Sequence, residues 1–185
     1  RFKAKKGIYF ITGNHETYVG LTRALKVLNQ TKIKILHNEV IEIDGLQIIG
    51  ISYPGIKKIS EIRGFEKLKQ NPIHKNPRIL LFHTPTNICP RGKDELDQHF
   101  NTYWVPDTDF ELHKQLGVDL QLSGHSHAGQ IFPFGLLTKL IYKGYDYGLR
   151  QEGGFYIYTT SGIGTWGPPL RTGNSPEIAA IRLNE

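Results

Sequence analysis

The sequence predicts a mixed α/β sandwich with helices on its outside. Two observations predict it: short apolar runs interleave with amphipathic stretches early in the chain, and later strand-like runs follow one another through tight turns. At 185 residues the chain has the length of one domain, and residues 1–185 are read as one.

Ile8 to Thr12 is apolar, β-branched and aromatic, stops at Gly13, and reads as a buried strand. Val19, Leu21, Ala24, Leu25 and Leu28 recur at helical spacing, which predicts an amphipathic helix between Tyr18 and Leu28 with Arg23 and Lys26 in water. Val40 to Ile43 and Leu46 to Ile51 flank Asp44-Gly45, a dipeptide that tolerates positive φ, and so form an antiparallel hairpin. Ser60 to Lys69 reads as a helix, Pro72 through Pro77 as a loop, and Arg78 to Phe82 as another buried strand. Thr84 to Pro106 is rich in turn formers and is expected to wrap over the surface. Asp109 to Leu116 follows as a short helix capped by Thr108 or Asp107. Leu120 to Ser123, Phe155 to Thr160 and Glu177 to Leu183 complete the set as strands.

Hydrophobic residues at 38% and charged residues at 22% describe an ordinary globular chain, with no apolar run of the length that spans a bilayer. A lone cysteine, Cys89, excludes an internal disulfide. The net charge of +6 favours anionic partners, but the basic residues are scattered as on a solvated surface. Neither a GxxxxGK loop nor an aromatic-basic RNA-binding motif occurs, so a nucleic-acid reading rests on charge alone and nucleic acid is not an expected partner. The chain opens at Arg1 and contains no methionine, so it is read as part of a longer product. Its location is left open between the cytoplasm and a membrane reached through an upstream segment.

Three strands end alike, on metal-capable residues: Ile8 to Thr12 leads to Gly13-Asn14-His15-Glu16, Ile79 to Phe82 leads to His83, and Leu120 to Ser123 leads to Gly124-His125-Ser126-His127. In open α/β sheets ligands gather outside the carboxyl ends of the strands, so these distant residues can converge. Asparagine offers an amide oxygen and histidine a neutral nitrogen, a set that suits Mn²⁺, Zn²⁺ or Fe better than Mg²⁺ or Ca²⁺. Gly13 and Gly124 would permit tight turns that bring backbone close to the ions. Taken singly, His83 reads as a structural histidine and Asn14 as a turn residue; their shared position makes a metal site the better reading.

These blocks, Gly13-Asn14-His15-Glu16, the isolated His83 and Gly124-His125-Ser126-His127, resemble in order the last three of the five blocks of calcineurin-like metallophosphoesterases. The continuation to Gln130, then Thr160 to Thr165 and Arg171 to Ile178, is similar to the YkuE-type bacterial branch. The resemblance implies a four-layer αββα sandwich, of which this chain would be roughly the C-terminal two-thirds to three-quarters. It also implies a dinuclear centre of divalent ions and hydrolysis of phosphate esters by a hydroxide held between them. By the same resemblance Asn14, His83 and His125 would bind the second metal and His127 the first. His15 would not be a ligand; it would sit against the phosphate, protonating the leaving oxygen or stabilising charge there, with Glu16 orienting it.

The family opens with Asp-x-His and Gly-Asp blocks, and neither precedes Gly13. The four ligands in view are all neutral, so this chain alone is expected to hold at most one ion well, to hydrolyse poorly, and to leave a sheet edge open to dimerisation. A reading from another class is a catalytically incomplete scaffold for protein or membrane binding. The implied substrate is a phosphorylated small molecule or a lipid, with monoester and diester not separated. Ile131 to Leu137 and Leu140-Ile141-Tyr142, with Lys139 and Lys143, read either as core packing or as an apolar-basic lip that meets a membrane or admits a lipid phosphate.

Overall fold

The computed structural model describes residues 3–70, 76–90 and 104–183. Its strands are β1 (Tyr9–Phe10), β2 (Lys34–Ile35), β3 (Glu39–Ile43), β4 (Leu46–Ile51), β5 (Arg78–Phe82), β6 (Leu120–Ser123), β7 (Gly148–Glu152) and β8 (Phe155–Thr159). Its helices are α1 (Asn14–Tyr18), α2 (Leu21–Leu28), α3 (Phe65–Gln70), α4 (Glu111–Gln115) and α5 (Phe134–Ile141). A six-stranded sheet runs in the order β3-β4-β5-β6-β8-β7. Strands β4, β5, β6 and β8 pair in parallel and the two edges pair antiparallel, so the fold is mixed α/β around a mostly parallel sheet.

The hairpin turns where the sequence places it, with Asp44 at φ 50° and Gly45 at φ 82° between the paired residues Ile43 and Leu46. Alternation then sorts the faces. Ile49 and Ile51 of β4, Leu80 and Phe82 of β5, and Phe155 and Ile157 of β8 are buried in one cluster with Leu68 of α3 and with Phe110 and Leu116 beside α4. Arg78 is buried in the same layer; its guanidinium donates to Gln47 Oε1 at 2.8 Å, Leu116 O at 2.7 Å and Leu68 O at 2.8 Å, tying two strands to both helices. On the opposite face the backbone of β4 lies close under Leu36, just past β2: a Cβ at Gly50 would fall 2.3 Å from Leu36 Cβ.

Several expectations change. The strand expected over Ile8 to Thr12 is only β1, and it pairs with β2 in a separate parallel sheet rather than joining the large one. Gly20, at φ 90°, breaks the helix expected from Tyr18 to Leu28 into α1 and α2. Gly64, at φ 78°, likewise interrupts Ser60 to Lys69, where Arg63 bridges to β3. Helix α4 starts at Glu111 with Phe110 as its N-cap; neither Thr108 nor Asp107 caps it, and Asp109 Oδ1 accepts the Glu111 N–H at 3.0 Å. Glu177 to Leu183 forms no strand, because the Glu177 carboxylate is drawn to Tyr158 and Ser161 and the following backbone finds no described strand to pair with. Core packing of residues 131–142 is also overturned: Leu136 is 65% and Leu140 76% exposed, and Tyr142 alone of that apolar run is fully buried. Parts of the loops expected at Pro72 to Pro77 and Thr84 to Pro106 lie outside the described residues. Among those described, no helix is long and apolar enough to cross a membrane.

Candidate metal centre

Chain ends of the parallel strands meet at one edge. Gly124 N, just past β6, donates to His83 O at 3.0 Å, just past β5, and Tyr53 N, past β4, donates to Thr12 O at 3.1 Å, past β1. These backbone bonds set Asn14, His83 and His125 side by side. Asn14, 3% exposed, places Oδ1 2.8 Å from His83 Nε2 and 3.3 Å from His125 Nδ1. The two imidazoles are edge-on with centroids 5.0 Å apart. Tyr53 stacks on His125 at 6.4 Å and meets His83 edge-on at 6.2 Å, so one ring limits the orientation of both.

Does this trio fit an ion? Ligand atoms about 2.1 Å from a metal and at tetrahedral or octahedral angles lie about 3.0–3.4 Å from one another. The 3.3 Å separation falls in that range, and the 2.8 Å one, a hydrogen-bond distance, lies about 0.2 Å short of it. Charge agrees: burial, with the nearby His15 and His127 adding to it, pushes the His83 imidazolium down to about 4, so the ring is neutral at pH 7 with a lone pair to give. Among the described residues no three His, Cys, Asp or Glu side chains gather, so Asn14 completes the set and no carboxylate joins it.

Gly13 acts by space rather than by turning, and Gly124 is required for neither. Gly13 has φ −109°, open to any residue, but a Cβ there would lie 2.8 Å from the His83 ring. A Cβ at Gly124 would meet only Thr160 Cγ2 at an ordinary 3.7 Å, so the tight turn expected there is not required.

The turn after β6 carries the strain instead. His125 (φ 71°), His127 (φ 51°), Ala128 (φ 50°) and Gln130 (φ 40°) all adopt left-handed backbone, at about 1–2 kcal/mol each. Surrounding bonds impose it. Asn174 Nδ2 donates to His127 O at 2.8 Å and Ala128 O at 3.1 Å. Fully buried Gln130 donates from Nε2 to Trp166 O at 2.9 Å and accepts the Trp166 N–H on Oε1 at 2.9 Å.

His127 stands apart from the trio. Its Nδ1 lies 3.4 Å from Arg171 Nη2, which can only donate, while the same nitrogen of Arg171 donates to Ser161 O at 2.8 Å. Burial first, then the Arg171 charge, lowers the His127 pKa. His15 is exposed, its ring 5.7 Å from Tyr18, and it shares the rim of a groove of about 230 Å³ with His125, His127 and Trp166. Larger hollows near Lys114 (about 440 Å³) and Lys3 (about 620 Å³) contain no histidine. Glu16, next to His15, accepts the Gly13 N–H on Oε2 at 2.6 Å and so satisfies an N–H at the start of α1.

Sequence reasoning passed over Tyr53, Gln130 and Arg171. Tyr53 had a usable signal, since it follows β4 at the same strand-end position as the chosen histidines. Gln130 and Arg171 lie in the stretches that carry the YkuE likeness, but their roles come from bonds spanning 36 to 44 residues, which no local pattern encodes.

Comparison with known proteins shows the family. The family model described as calcineurin-like phosphoesterase matches residues 1–129. An uncharacterized metallophosphoesterase of Helicobacter pylori is 36% identical over 98% of this chain and 44% of its own length. One of Campylobacter jejuni is 31% identical over 98% of this chain and 43% of its own. The likeness to YkuE of Bacillus subtilis is local, 44% identity over 69 residues, covering 36% of this chain and 24% of that protein. No solved structure matches. The chain thus spans less than half the length of the Helicobacter and Campylobacter relatives, and it belongs to the calcineurin-like metallophosphoesterase family.

Proposed function

We propose that this chain carries catalytic residues of a metal-dependent phosphoester hydrolase. The observation that supports it most is the convergence of Asn14 Oδ1, His83 Nε2 and His125 Nδ1 at strand ends beside the exposed His15. Family membership points to phosphoester hydrolysis, and the family typically binds divalent metals. In this reading Asn14, His83 and His125 hold one ion of the Mn, Zn or Fe kind, and His127 serves a second. Bound ions would neutralise phosphoryl oxygens and acidify water.

The chain's own groups do the rest. Adjacent residues at the start of α1 divide the work: the Asn14 side chain turns into the protein while His15 faces the groove. His15 hydrogen-bonds the phosphoryl group or gives a proton to the leaving oxygen, a task suited to an imidazole open to solvent. The Glu16 bond to Gly13 N holds that turn in place, and Tyr53 limits rotation of His83 and His125.

A second reading, a scaffold without catalysis, is favoured by one observation, the lack of any described carboxylate in the donor cluster. Metal content and hydrolysis of p-nitrophenyl phosphate and its bis ester separate the two. The hydrolase reading expects His83→Ala to lose metal and turnover and His15→Ala to lose turnover alone. Metal retained by wild type with no turnover of either ester would favour the scaffold.

A further inference from the structure

Helix α5 grows directly out of the metal turn. Gly129 and Gly135 touch so closely that a Cβ at Gly129 would fall 2.3 Å from Gly135 N. Thr138 Oγ1 donates to Asp146 Oδ2 at 3.2 Å, and buried Tyr142 brings its ring 6.2 Å from His125. One side of the helix is therefore anchored, and its Phe134, Leu137 and Ile141 line the groove that begins at His15, His125 and His127.

The other side reverses the usual rule for a surface helix. Thr138 is bonded inward, while Leu136 (65% exposed) and Leu140 (76%), with Phe132 (71%) before the helix, face water. The polar residues beside them are cationic: Lys139 and Lys143 are exposed, and no Asp or Glu occurs from Phe132 to Tyr145. Asp146 is bonded inward by Thr138, so the charges exposed beside the apolar residues of the helix are the two lysines, a combination that suits anionic lipid. A second copy would bring lysine against lysine, on a chain whose net charge is already +6.

We propose that α5 docks on an anionic membrane and passes the chain of a lipid phosphate ester along its inner side, so that the phosphate reaches His15, His125 and His127. The substrate class rests on the hydrolase reading; the docking does not. An apolar groove wall continuous with an exposed apolar face gives a long acyl or isoprenoid chain one path from bilayer to histidines.

Flotation with phosphatidylcholine vesicles, with and without phosphatidylglycerol, tests the docking. The protein should float with the anionic vesicles, and Leu136→Ser/Leu140→Ser, which changes no groove-lining residue, should lower the bound fraction by roughly tenfold. Failure to float, equal flotation of the variant, or a wild-type dimer that the variant turns into monomer would each overturn it. Substrate class is tested with phosphatidate and phosphatidylglycerol in vesicles against p-nitrophenyl phosphate and its bis ester in solution. The variant should lose roughly tenfold on the vesicle-borne ester and nothing on the soluble one. Soluble turnover without vesicle turnover, or an equal vesicle rate in the variant, overturns the lipid assignment. Absence of turnover on both the vesicle-borne and the soluble esters in wild type instead overturns the hydrolase reading, and flotation still judges the docking.

Discussion

His83 Nε2 lies 2.8 Å from Asn14 Oδ1 although 69 residues separate them, and this contact joins two blocks that the sequence holds far apart. It exists because β1 and β5 deliver their ends to the same edge and because Gly13 leaves room for the His83 ring.

Gly13→Ala should therefore act on His83 rather than on the backbone. Its φ suits alanine, but the new Cβ would meet the ring at 2.8 Å, and we expect a loss of about 1–3 kcal/mol together with weaker metal binding. Gly124→Ala, whose Cβ would have an ordinary 3.7 Å contact, should stay within about 0.5 kcal/mol. Urea denaturation of both variants checks the contrast.

Arg171→Ala should raise the His127 pKa. Burial lowers that pKa first and the Arg171 guanidinium second, so removing the cation moves the imidazole back toward its ordinary value near 6.5 while burial still holds it below. An NMR titration of His127 reads this directly. Arg171→Lys should keep part of the pKa effect but not the carbonyl contacts at Ser161 and Gly162, because a lysine lacks the fork that reaches them.

Stability should fall in acid through His113. This ring is fully buried, accepts the Ile88 N–H on Nε2 at 3.0 Å, and is pushed by burial down to about 3. A histidine whose folded pKa lies below its unfolded value contributes fully above about pH 6.5, and that contribution is lost as pH falls toward 3, by up to about 1.4 kcal/mol per unit. Urea midpoints at pH 7 and pH 5 should draw apart less in His113→Phe than in wild type, although that variant starts less stable with Ile88 N unpaired.

Much of the fold was legible because its signals are local. Asp44-Gly45 turns the hairpin, and the apolar runs of β5, β6 and β8 lie where their composition places them. The same strand-end logic brought Asn14, His83 and His125 together in advance. What it missed depends on partners distant in sequence. Ile178 is 78% exposed because an apolar alternation makes a strand only when a neighbour offers its edge. Helix α5 reads as core by composition, and only its position beyond the anchored Gly129 turn leaves Leu140 in water. The bond from Gly13 N to Glu16 was not foreseen, although Glu16 stands three residues after Gly13, the spacing of a helix-start cap.

Calorimetric titration of Zn²⁺ or Mn²⁺ into the protein and into Asn14→Ala, His83→Ala, His125→Ala and His15→Ala bears most directly on the donor cluster. Each of the first three substitutions should weaken binding about a hundredfold or more, while His15→Ala should bind as wild type does. Undiminished affinity in His83→Ala, with loss in His15→Ala, would contradict the ligand assignment.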